Sequence, residues 1–101
     1  MNTPWGFSQS QETLAEGVVS YSTSSHGGIW LSDERVKQLP AGLDNFLHDL
    51  RWWEEDCDWS VPYTYFAHEI EQYGRAYKFA ENLAVARETA KRFYPILNSK
   101  V

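Results

Sequence analysis

Residues 17–31 read GVVSYSTSSHGGIWL, and this stretch decides the fold class. Residues 17–23 are β-branched and aromatic with partial alternation, and 29–31 form a second short apolar run, the composition of two neighbouring strands. Between them, Ser24-Ser25-His26-Gly27-Gly28 supplies turn formers, and the two glycines can take positive φ at no steric cost. The stretch predicts a β-hairpin with a five-residue connection.

Helical signals follow on its C-terminal side. Ser32 reads as an N-cap because Asp33 and Glu34 occupy the first turn, where the helix dipole favours negative charge, and Pro40 stops the helix early. Asp44 is the next cap, ahead of an apolar face made by Phe46, Leu47 and Leu50. Residues 54–57 read as a loop, and Asp58 or Ser60 caps a helix running to about Tyr73, with Pro62 in its first turns and Gly74 at its end. From about Lys78, the residues Phe79, Leu83, Ala86, Ala90 and Phe93 recur every three to four positions, a helix with one buried face that Pro95 closes. The expected architecture is α+β, an N-terminal hairpin packed on three to four helices in one small domain of residues 1–101. Residues 1–13 read as a flexible arm and 96–101 as a tail.

Composition narrows the class. The 101-residue chain should bury roughly 65% of the surface it exposes when unfolded, enough for one core without a disulfide or metal. The single cysteine, Cys57, rules out an internal disulfide framework and fits a reducing compartment. The polar start, MNTPWGFSQSQETL, has no basic region and no apolar stretch, and the longest apolar run is four residues, 83–86. A secreted, lipid-anchored or membrane-spanning protein is not expected, and a cytoplasmic one is.

Charge is unevenly placed. Residues 1–60 carry ten acids against three bases, and the remainder four acids against six bases, for a formal net charge of −5. Phosphate neutralisation needs a basic face, and the candidate is the last helix with Arg87, Lys91 and Arg92, a pattern that usually serves solubility. Direct nucleic-acid binding is therefore not expected. An acidic half suits a basic protein partner better.

The segment Trp52-Trp53-Glu54-Glu55-Asp56-Cys57-Asp58-Trp59 packs four acids among three indoles with no regular period. Five tryptophans exceed what a chain of this length usually buries, and exposed indoles beside carboxylates make a protein-binding hot spot with a charged rim. The candidate binding residues are Trp52, Trp53, Glu54, Glu55, Asp56, Asp58 and Trp59. The plain alternative is that Trp30, Trp53 and Trp59 fill the space between hairpin and helices, while the acids cap helices and Cys57 is a small buried hydrophobe. An exposed Trp patch could equally be a homodimer face. Tyr73 and Tyr77, around Gly74, mark a second candidate surface.

Catalytic and metal readings centre on His26. If the hairpin turn packs on residues 54–58, His26, Cys57 and one of Glu54, Glu55 or Asp56 would supply three zinc ligands, although the spacing matches no zinc pattern. A nucleophilic enzyme would use Cys57 or Ser25 with His26 as base. Four acids beside Cys57 raise a thiol pKa and oppose that role, and Glu54 with Asp56 could form an acid–base pair only at a separation the sequence does not supply. His48 and His68 each sit close to an acid at helical spacing, as surface pairs do. No cofactor is expected.

Three motifs in order, Thr3-Pro4-Trp5-Gly6, Ser24-Ser25-His26-Gly27-Gly28-Ile29 and Glu54-Glu55-Asp56-Cys57-Asp58-Trp59, together with the ending Phe93-Tyr94-Pro95, resemble a family of short uncharacterised proteins from bacteriophages, plasmids and bacterial genomes. The resemblance spans residues 3 to about 95. It departs at Trp52-Trp53, where Trp-Tyr is expected, and at Pro62. It brings no activity, cofactor or catalytic residue, and implies a small protein carried by mobile elements. The resulting expectation is an acidic accessory protein that binds a protein partner, an inhibitor of a host nucleic-acid-targeting defence of the anti-CRISPR kind. The rivals are a small metal-dependent or hydrolytic enzyme using His26 with residues 54–58, and a phage structural or assembly protein.

Overall fold

The alternation in residues 17–31 is realised as a strand pair within a larger sheet. The structure, a computed structural model, describes residues 2–40 and 49–93. A small hairpin, β1 (Asn2–Thr3) and β2 (Gly6–Phe7), comes first, followed by β3 (Ser10–Ala15), β4 (Val18–Ser22) and β5 (Gly27–Leu31). Helix α1 (Asp33–Lys37) precedes β6 (Trp52–Glu54), and the chain continues as α2 (Ser60–Tyr65), α3 (Ala67–Tyr73) and α4 (Phe79–Phe93). This is an α+β arrangement. The sheet is an antiparallel meander in the order β3-β4-β5-β6.

Two of these strands lie outside the hairpin read from the sequence. β3 belongs to the stretch read as an arm, and its turn into β4 runs through Gly17, at φ 78°. A side chain there would be strained by its backbone and would also meet the Ser32 hydroxyl at 2.5 Å. β6 forms in the indole–acid segment that showed no regular period and takes in Glu54, the first residue of the expected loop, pairing Trp53 with Ile29 and Trp52 with Trp30.

The β4–β5 connection is shorter than the expected five residues. Gly27 and Gly28 are strand residues with no positive φ, so their role is steric and not conformational. A Cβ on Gly27 would lie 2.6 Å from the Tyr21 carbonyl oxygen, and one on Gly28 would run into the Trp53 carbonyl and the Trp5 ring. The turn itself is held by Thr23, whose Oγ1 donates to the His26 carbonyl at 2.6 Å and accepts from the His26 N–H at 3.0 Å.

Period-two alternation separates the faces of the sheet. Val18, Ile29, Leu31 and Trp53 join Val61, Phe66, Ile70, Ala86 and Ala90 in one buried cluster beneath the helices. On the opposite face, Trp5 meets Trp52 edge to face at 5.6 Å, and Tyr21 meets Trp52 at 6.0 Å. Gly28 leaves room for the Trp5 ring, so an aromatic layer forms there.

The helices start and stop mostly for local reasons. Ser32 accepts from the Arg35 N–H and caps α1 as expected, while Gly74 ends α3 in the left-handed conformation. The single helix expected up to Tyr73 is broken at Phe66, the hinge between α2 and α3. All of residues 60–64 are buried whereas α3 buries Ile70 alone, so a change of direction lets one helix cross the core and the next lie on its surface. Neither Asp58 nor Ser60 caps α2. Trp59 occupies that position without a side-chain bond, because the chain enters through turns, and the Ser60 hydroxyl donates back to the Cys57 carbonyl at 2.6 Å. On α4, Ala86 and Ala90 are buried and Phe79 and Leu83 pack against the core. The helix expected around Phe46 and Leu47, the side chain of Phe93, and residues 94–101 lie outside the described residues.

Candidate functional site

The indole–acid segment is divided among three environments. Trp53 has 0% exposure, and its indole N–H donates to the Leu50 carbonyl at 2.6 Å, so it is a core residue with no surface for a partner. Trp52 is half-buried in the aromatic layer on the opposite face. Glu54 ends β6, and beyond it Glu55 and Asp56 are exposed while Cys57, Asp58 and Trp59 are half-buried in the turn into α2. Strand pairing does bring this segment to the hairpin: Glu55 N–H donates to the Gly27 carbonyl at 2.9 Å, one residue after His26.

A cleft of about 300 Å³ opens beside this junction, between the ends of the sheet strands and helices α2 and α4. Glu12 of β3, Ser20 and Ser22 of β4, Glu55, Trp59, Tyr63 of α2 and Asn82 of α4 line it. Several of these groups are held in place. The Glu12 carboxylate accepts from the Tyr77 N–H at 3.2 Å, and the Asn82 amide donates to the Tyr77 carbonyl at 2.8 Å. The Trp59 ring meets the Tyr63 ring edge to face at 5.4 Å, and Phe79 stacks on Tyr63 at 6.1 Å.

Tyr63 is the unusual member. It is 3% exposed, and its hydroxyl makes no well-formed hydrogen bond, the Asn82 amide lying beside it. Burial pushes its pKa up, the nearby Asn82 amide pulls it back in part, and the Glu12 carboxylate adds to the rise. The phenol is therefore held neutral at physiological pH, next to a carboxylate. A buried hydroxyl without a well-formed hydrogen bond is costly, and a water or a ligand group in the cleft would offset that cost.

A second cleft, lined by Glu16, Gly17, Trp30, Ser32, Glu34, Arg35 and Gln38, has a different character. Its cation is already committed. Arg35 Nε donates to the Glu16 carbonyl at 2.8 Å, Nη1 donates to Gln38 at 3.0 Å and pairs with Glu69 at 3.6 Å, and the guanidinium lies 5.2 Å from the Phe66 ring centre. This cleft is a structural junction between the β3–β4 turn, α1 and α3.

His26 is exposed in the β4–β5 turn, as is Ser25. Among the described residues, no group of three or more His, Cys, Asp or Glu side chains is placed to hold a metal ion, so His26, Glu54, Asp56 and Cys57 are not gathered into a centre. His68 is exposed on α3, as are Arg87, Lys91 and Arg92 on α4 and Tyr73 and Tyr77 around Gly74. Sequence reading missed Glu12, Ser20, Tyr63 and Asn82. The polar alternation of Ser10, Glu12 and Ser20, Ser22 was a signal for two strands sharing a face, but nothing local links Tyr63 or Asn82 to it.

No helix among the described residues is long and apolar enough to cross a membrane. No curated protein and no solved structure matches the chain. A family does: the domain of unknown function DUF7007 matches residues 1–98, nearly the whole chain, and the protein belongs to that family.

Proposed function

We propose that this protein works by binding a protein partner with a basic surface, engaged around the cleft and the acidic turn beside it. The observation that carries this reading is the convergence of Glu12 and Glu55, from opposite edges of the sheet order, at one opening beside Trp59. The exposed Asp56 follows Glu55 in the same turn, whereas Glu54 shares the opposite face of the sheet with Trp52. A net charge of −5 and a carboxylate-rimmed aromatic cleft favour encounter with a cationic surface. In the mobile-element setting that the sequence resemblance implies, the task is inhibition of a host defence that targets nucleic acid, the acidic rim occupying a groove built for phosphates.

The rival is a hydrolytic or metal-dependent enzyme, favoured by one contact, the Glu55–Gly27 hydrogen bond that brings the acidic segment next to His26. A pull-down with the tagged protein from bacterial lysate separates the two. The expected result is a stoichiometric partner at low salt that is lost at high salt, where screening shortens the reach of surface charge, and lost with Glu55→Gln plus Asp56→Asn. No partner, together with about one equivalent of metal in the purified protein, would replace binding with the enzyme reading.

A further inference from the structure

We propose that the cleft is a receptor for one guanidinium group, the side chain of an arginine presented by the partner. The inference deepens the binding reading above and rests on it. Two carboxylates at one opening select a cation and repel phosphate or carboxylate ligands. At about 300 Å³ the cleft lies at the lower end of the range for small-molecule sites, so it suits a single side chain better than a nucleotide or cofactor.

The remaining groups favour arginine over lysine. Glu12 has one oxygen engaged by the Tyr77 N–H, which fixes the carboxylate while leaving its second oxygen to accept a charge-assisted bond. Trp59 supplies an aromatic wall on which a planar, weakly hydrated guanidinium stacks more readily than an ammonium does. Tyr63 is the independent sign that something is missing. Its hydroxyl is buried and lacks a well-formed hydrogen bond, although the Asn82 amide lies close enough to favour its ionised form and the Glu12 carboxylate opposes it. A guanidinium paired with the free Glu12 oxygen keeps further donors in its fork for other acceptors of the cleft, and Glu55 adds attraction from the far rim, whereas a lone water has no charge to offer the carboxylates.

The test uses the full chain, isotope-labelled, and two-dimensional NMR with acetyl-arginine-methylamide as the probe. Expected are saturable shifts at the Trp59 indole N–H and at Ser20 and Ser22, and no comparable shifts with the neutral isostere acetyl-citrulline-methylamide. Glu12→Gln should weaken binding about tenfold, the scale of one charge-assisted hydrogen bond, and Glu55→Gln about threefold through lost attraction across the cleft; both residues are exposed so the fold should survive. Tyr63→Phe should weaken it severalfold while leaving the far-ultraviolet spectrum unchanged.

Propylguanidine, a monocation like the capped arginine, serves as the free guanidinium compound. Weaker binding of propylguanidine than of the capped arginine supports a protein-borne ligand, and tighter binding overturns that assignment in favour of a small metabolite. Equal affinity for citrulline, or shifts that persist in the Glu12→Gln, Glu55→Gln double variant, would overturn the guanidinium site. Failure here alongside a salt-sensitive captured partner refutes the cleft as receptor and leaves the binding reading standing. Binding of the arginine probe without any captured partner does the reverse.

Discussion

Replacing Tyr63 by Phe removes one oxygen from the floor of the cleft and little else. The residue is 3% exposed, and its ring contacts, at 5.4 Å to Trp59 and 6.1 Å to Phe79, belong to carbon atoms that Phe retains. The lost oxygen makes no well-formed hydrogen bond in the folded chain, its approach to the Asn82 amide being imperfect, but is hydrated in the unfolded one. Leaving such a group unsatisfied costs ~1–3 kcal/mol, so Tyr63→Phe should stabilise by about 1 kcal/mol or more once the small loss of packing is subtracted. For a chain of this size, that is a rise in Tm of roughly 4–8 °C at pH 7, readable by calorimetry or by urea denaturation. The titration adds an independent check with a defined sign. Burial raises the phenol pKa above its ordinary value, so the folded state holds this proton more tightly than the unfolded state. That contribution is fully present below the unfolded pKa of about 10 and is lost as pH rises through the higher folded value. The advantage of Phe over Tyr should therefore widen above about pH 10. Destabilisation by more than about 1 kcal/mol at pH 7 would show that the hydroxyl is bonded, and no change in the difference between pH 8 and pH 11 would show that its pKa is not raised; either refutes the reasoning.

Further outcomes follow from the packing. Gly28→Ala forces a methyl against the Trp53 carbonyl and the Trp5 ring, and should destabilise by ~3 kcal/mol, the upper end of overpacking, in urea denaturation; a loss under ~1 kcal/mol would mean that β6 yields easily. Arg35→Met keeps the apolar stem and removes the links to Glu16, Gln38 and Glu69, with an expected cost of ~1–3 kcal/mol in the same assay. Leu83→Ala should cost ~2 kcal/mol because Leu83 packs on the core. Val85→Ala, at 55% exposure, should stay within ~0.5 kcal/mol, and equal effects would contradict the buried face of α4.

What the sequence determined by itself were features set by neighbours within a few residues. The Ser32 cap, the left-handed Gly74 and the 79, 83, 86, 90 face of α4 depend on i to i+4 relations that any window of the chain displays. The α+β class and the Val18–Ser22 with Gly27–Leu31 hairpin belong here too, because strand alternation and a short connection are local. Tertiary structure decided the rest. Trp52–Glu54 is too short to announce itself as a strand, and it becomes one because Gly28 and Ile29 offer an edge without a clashing side chain. The same pair of glycines reads as turn residues in isolation, since the carbonyls of Tyr21 and Trp53 that exclude a Cβ appear only once the strands are paired. Phe66 breaks a helix that periodicity would continue, because residues 60–64 are buried together. The cleft is the furthest from sequence. Glu12, Glu55, Tyr63 and Asn82 come from different elements, and only folding desolvates the Tyr63 hydroxyl beside the Glu12 carboxylate, an energy that has no counterpart in the unfolded chain.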